Sequence, residues 1–190
     1  LMNLQRDVDI MTPLFHDNEA YNPGKFTLET SRSAANILAT WIALQTFGIE
    51  GYQVILGNPI EMGIVFRETI EEAKDNGLYI ANQIQYGHDV FVRCYPLGSD
   101  VAKEYKKELI DDTLLKKYTA YTSKFASYIF KNMANRDKGF AISKSSAAIY
   151  TKTGASMAAL RIYPLSPYIT PSTAKELIRR LITMKQEFDS

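Results

Sequence analysis

Two stretches, LYIANQIQ (78–85) and DVFVRCYP (89–96), alternate apolar and polar residues with the period of a β-strand, and Tyr86-Gly87-His88-Asp89 reads as the turn between them. The pattern recurs in SSAAIYTKTGASMAALRIYPL (145–165), two strands around Thr153-Gly154. Turns this short join antiparallel neighbours, because a parallel pair needs a crossover of roughly a dozen residues or more. The chain is therefore committed to an antiparallel sheet, and what remains to be read is which segments cover it.

Helical spacing supplies the cover. A first helix is expected from about Ser33 to Phe47, with Ile37, Trp41 and Leu44 in an apolar row, Leu38 and Ile42 beside it, Ala35, Ala39 and Ala43 as a small-residue row, and Gly48 as its stop. A second is expected to start at Asn58-Pro59, with Asn as N-cap and Pro at the first position, and to carry Met62, Phe66, Ile70 and Ala73 inward as far as Asn76-Gly77. Residues 101–133 form a third helical region striped by Leu114, Tyr118, Tyr121, Phe125 and Ile129. Thr170-Pro171 opens a last helix with Leu177, Ile178, Leu181, Ile182 and Phe188 inward. The order helix, helix, hairpin, helix, hairpin, helix gives an α+β lobe whose antiparallel sheet is covered by helices on one face and preceded by two helices. Residues 1–29 show no periodicity.

Composition narrows the function. At 190 residues, 46% of them hydrophobic, the chain can bury a real core. Its 22 basic and 21 acidic residues leave a net charge of +1, so no long-range field points to nucleic acid or a membrane surface, and no apolar run reaches the ~18 residues of a membrane span. The lone Cys94 suits a reducing, cytoplasmic setting and lies in a strand as a small apolar residue. His16-Asp17 and His88 sit in polar loops, where solvated imidazoles are expected, and no metal-binding motif or phosphate loop occurs. Leu1 is not an initiator methionine, which is expected of a piece of something longer.

Arg32 stands at the positive end of the first expected helix, a position unfavourable for a cation by roughly 0.3–1 kcal/mol. Two readings are open. Arg32 could pair with Glu29, or its guanidinium and the free N–H groups of the helix start could converge on one carboxylate or phosphate, whose charge would offset the repulsion.

TLETSRSAANILATWIALQTFGIEGYQ (27–53) resembles the segment of pyridoxal-phosphate (PLP)-dependent group II amino-acid decarboxylases in which Ser-Arg opens a small-residue helix ending in a Gly-x-x-Gly-Tyr turn, here Gly48 to Tyr52. EAYNPGKF (19–26), VFVRCYP (90–96) and AALRIYPLSPYIT (158–170) are similar to further elements of that family, and KKYTAYTSKFASYIF (116–130) looks like an insertion of its bacterial tyrosine/glutamate decarboxylase-like branch. The resemblance covers nearly the whole chain. It implies the C-terminal lobe of an aspartate-aminotransferase-like (PLP fold type I) homodimer, a cytoplasmic carboxy-lyase. Residues 1–57 would follow the large PLP domain, and 58–190 would form the small C-terminal domain. The family's cofactor lysine, in a Ser/Asp-x-His-Lys motif, is expected upstream of Leu1. Lys25 lacks the preceding histidine, so no catalytic residue and no metal is expected in this chain, and PLP would be bound mainly by the upstream domain. Arg32, with Thr30 and Ser31 beside it, would hold the carboxylate of the amino-acid substrate. The alternative is a binding or assembly module that keeps this fold without the chemistry.

Overall fold

The structure is a computed structural model, and it describes residues 35–84, 87–134 and 140–190. The chain divides into two units, Leu1–Ile49 and Glu50–Ser190. The described part of the first unit is helical. Helix α1, Ala35–Glu72, begins there and is interrupted at Gly48, whose φ of 59° and ψ of −169° are open to glycine and strained for other residues. Gly48 thus ends the first arm as the sequence suggests. The apolar row on that arm is solvent-facing: Ile37, Trp41 and Leu44 are 73%, 59% and 52% exposed.

In the second unit α1 runs from residue 50 to Glu72 without a further break, and Pro59 lies buried inside it. No helix starts at Asn58. The Asn58 side chain, expected as an N-cap, donates instead to the carbonyls of Pro167 (3.1 Å) and Ile169 (3.3 Å). A proline inside a helix removes one N–H and crowds the preceding turn, and burial of Pro59 together with Met62, Phe66 and Ile70 outweighs that penalty here. A short 3₁₀ turn, Lys74–Asn76, and left-handed Gly77 then reverse the chain. Gly77 is indispensable for a second reason: a Cβ there would stand 2.2 Å from the Tyr95 carbonyl oxygen.

The sheet comprises β1 (Leu78–Ile80), β2 (Val90–Cys94), β3 (Ser143–Tyr150) and β4 (Ser156–Ile162), all antiparallel, in the order β1-β2-β4-β3. Both expected hairpins are present, although β1 ends well short of residue 85. The expected helix 101–133 is two helices, α2 (Val101–Glu108) and α3 (Asp112–Asn132). They are separated because Asp111 caps α3, its Oδ1 accepting from the N–H groups of Thr113 and Leu114. Helix α4, Pro171–Asp189, starts as read from Thr170-Pro171, with the Thr170 side chain accepting from Thr173 N.

Period-two alternation sends the two faces of β2 to different places. Val90, Val92 and Cys94 join the main core with Phe66 and Ile70 of α1, Phe125 and Ile129 of α3, and Ile178 and Leu181 of α4. On the other face Phe91, with Tyr95 just past the strand, joins a second cluster with Tyr105 of α2 and Leu115 and Tyr118 of α3, so helices pack that face of the sheet as well. The tyrosines of α3 are core and near-core packing, as their spacing suggests. Among the described residues no helix is long and apolar enough to cross a membrane.

Candidate functional site

Two arginines on adjacent strands make opposite use of their hydrogen-bonding capacity. Arg93, on β2, is fully buried and fully engaged. Its Nε and Nη2 grip both oxygens of buried Glu108 (2.9 and 2.6 Å), Nη1 donates to the Ala158 carbonyl (2.6 Å), and Nη2 also reaches Leu115 O and Thr119 Oγ1. The Tyr95 hydroxyl donates to Glu108 Oε1 at 2.6 Å, and burial, reinforced by the Glu108 charge, drives its pKa far above the usual phenol value. Fully buried and gripped by Glu108, Arg93 is an internal strut.

Arg161, on β4 opposite Phe91 of β2 and Ser143 of β3, is different. Its Nη2 donates to Asp89 Oδ2 at 2.8 Å, and its guanidinium carbon lies 4.3 Å from the centre of the Tyr163 ring. Its Nε is buried without a partner. Three neighbouring polar atoms share that condition, namely Arg67 Nε, His88 Nε2 and Asp89 Oδ1. Each buried polar atom left unpaired costs about 1–3 kcal/mol, so a group of four marks a place that a ligand or water would stabilise. Arg161 also lines a cavity of about 200 Å³, whose other walls include Phe66, Ile142, Ser143, Tyr163 and Leu177. A small, partly apolar cavity bordered by the charged Arg161 side chain suits a small organic anion.

Asn82 and Asp89, between β1 and β2, are held in place by hydrogen bonds from Arg67 and Phe91. Arg67 Nη1 and Nη2 donate to the carbonyls of Asn82 (2.7 Å) and Asp89 (3.2 Å). Asn82 in turn donates to the Asp89 carbonyl (2.9 Å) and accepts from Phe91 N (2.9 Å). Sequence reading missed Asp89, Arg67 and Arg161 as a group because 72 residues separate Asp89 from Arg161. The available signal was Arg161 itself, a charge in an otherwise apolar strand. His88 departs from its expected solvated state, for its ring stacks on Tyr163 at 4.5 Å and its side chain is 26% exposed.

Thr30, Ser31 and Arg32, and with them Lys25, His16 and Asp17, lie outside the described residues. Cys94 is the buried apolar residue expected, its thiol pushed up to about 12 by burial. Among the described residues, Lys185 is the fully buried lysine, and its Nζ is committed to the Tyr121 hydroxyl (2.6 Å) and Asp189 Oδ2 (2.5 Å). Held by these two partners, Lys185 itself is not free to form an imine. Nor does any group of three His, Cys, Asp or Glu among them suit a metal ion.

No protein-family model matches the chain, and no curated sequence does. Solved structures do. An Oryza sativa TDC with PLP and tryptamine superposes with a TM-score of 0.62 at 12% identity, over 90% of this chain and 31% of that one. Mouse CSAD in its apo form gives 0.61 at 15% identity, over 91% of this chain and 33% of that one. The fold is that of the C-terminal region of PLP-dependent decarboxylases. A Catharanthus roseus tryptophan decarboxylase in complex with L-tryptophan also aligns, at 17% identity and a TM-score of 0.47, over 87% of this chain and 28% of that one. The chain spans about a third of the length of these structures, and at such identities the likeness establishes the fold alone.

Proposed function

We propose that this chain is the C-terminal portion of a PLP-dependent amino-acid decarboxylase, a cytoplasmic homodimeric carboxy-lyase of the bacterial tyrosine/glutamate decarboxylase-like branch, and that it contributes carboxylate binding and domain contacts. The observation that carries the reading is Arg161. On the fold of a decarboxylase C-terminal region, its side chain lines a cavity of about 200 Å³, sized for a small anion. PLP, bound mainly by the remainder of the protein, supplies the electron sink for loss of CO₂. The described residues supply placement. Arg161 binds and orients a carboxylate, Asp89 and Tyr163 fix the plane of its guanidinium, and the apolar walls exclude water from one side of the ion. Arg32, with Ser31 and Thr30, is a second proposed contact to the substrate carboxylate. The solvent-facing row of Ile37, Trp41 and Leu44 supports the assignment of domain contacts to the first arm of α1.

Substitution in the full-length protein tests this. A charge-assisted hydrogen bond contributes about 1.5–3 kcal/mol, so Arg161→Met should raise KM for the amino acid about 10- to 100-fold while bound PLP stays constant. Arg32→Ala should act in the same direction. An unchanged KM in Arg161→Met, with the protein folded, removes Arg161 from the site.

A further inference from the structure

We propose that His88, acting through Asp89, is a positioning residue for Arg161 whose protonation tightens the Arg161 site for a small carboxylate; this deepens the carboxylate reading above and rests on it. Asp89 faces two ways. Its Oδ2 binds Arg161, while Oδ1 is buried without a partner, and His88 Nε2, equally buried and unpartnered, stands 4.0 Å from it. That separation is too long for a hydrogen bond, yet the two groups are half-buried and directly adjacent, 26% and 27% exposed.

The surroundings hold both side chains in place. The His88 ring lies on Tyr163, the same ring over which Arg161 stacks. The His88 backbone is pressed against α1 at Gly63, where a Cβ would come within 3.0 Å of the His88 carbonyl oxygen. The Asp89 backbone is clamped by Arg67 and Asn82. What can change at this position is charge. Among the described residues, the titratable and charged groups around His88 are Asp89 beside it, Tyr163 just past β4, Arg161 of β4 bound to Asp89, and Arg67 of α1 on the Asp89 carbonyl. With His88 neutral, the Asp89 carboxylate balances Arg161, and Arg67 is occupied by two carbonyls. With a proton taken from solvent, the imidazolium draws on Asp89 Oδ1, and one negative charge is shared between two cations. More of the Arg161 field is then available to an external anion.

The test is a titration of the intact protein that contains this chain with formate, which stays ionised at both pH 5.5 and pH 7.5. The readout is the ¹⁵N–¹H signal of Arg161 Nε, assigned by its disappearance in Arg161→Lys. One added charge a few ångströms away predicts a formate Kd roughly three- to tenfold lower at pH 5.5 than at pH 7.5. In His88→Gln, Kd should be flat across this range and match the wild-type value at pH 7.5. Linkage supplies a second measurement that needs no variant: formate should raise the midpoint of the His88 Cε1–H titration by about half to one pH unit. Formate binding with equal affinity at both pH values, or an unmoved His88 midpoint, overturns the role of His88 and leaves the Arg161 site standing. No formate effect on Arg161 at either pH refutes the carboxylate reading itself.

Discussion

If Arg93 is a strut and Arg161 a ligand-binding residue, their removal should separate stability from function. Arg93→Met strands the Glu108 carboxylate in a fully buried position with the Tyr95 hydroxyl as its remaining side-chain donor. Removing one partner of a buried ion pair costs about 3–5 kcal/mol. Arg161→Met gives up a pair whose members are 38% and 27% exposed, and after solvent screening such a pair contributes at most about 1 kcal/mol; the methionine stem can still rest on Tyr163. Taking the full 1 kcal/mol for Arg161→Met, the difference is about 2–4 kcal/mol. At about 2–4 °C per kcal/mol for a domain of this size, Arg93→Met should melt roughly 4–16 °C below Arg161→Met. Thermal and urea unfolding of the 190-residue chain, followed by circular dichroism at pH 7, measures this. A double variant, Arg93→Met with Glu108→Leu, should recover most of the loss, because it replaces both charges with apolar groups. Equal losses for the two arginine variants, or a double variant as unstable as the sum of its parts, would refute the division between strut and site.

The Asp189 carboxyl and the Cys94 thiol give two further predictions. Burial alone would raise the Asp189 pKa, but donors from Lys185, Tyr121 and the Leu97 N–H together hold it below the usual carboxylate value. Its stabilising contribution is therefore full above the unfolded-state value of about 3.9 and lost as pH falls further through the folded-state value. Urea unfolding below about pH 4 should show a shallower acid loss in Asp189→Asn than in wild type, and identical acid limbs would contradict the assignment. Cys94, with its thiol near 12, should resist iodoacetamide at pH 8 in the native protein and react in urea; rapid native labelling would show that the core opens around β2.

Legibility in the sequence followed the range of the interactions. The β3–β4 hairpin and the start of α4 depend on neighbouring residues, Thr153-Gly154 and Thr170-Pro171, and were readable from them. Pro59 misled because its local preference for a helix start was overridden by burial in the core and by the use of the Asn58 side chain 109 residues away. The break between α2 and α3 rests on one aspartate, Asp111, whose capping role competes with helical spacing that continues on both sides of it. The candidate site was least legible. Asp89 and Arg161 meet because β2 and β4 are neighbours in the sheet, a pairing that no single segment specifies. Local sequence makes His88 a solvated turn residue, whereas Tyr163, whose ring lies against it, is distant in the chain.

Borohydride reduction of the intact polypeptide that contains this sequence, supplied with PLP and mapped by mass spectrometry, tests the central claim most directly. A stoichiometric pyridoxyl adduct is expected on a lysine preceded by histidine outside these 190 residues, and none on Lys25 or Lys185. A single clean adduct on either of those lysines, or no adduct anywhere in a folded protein, would contradict it.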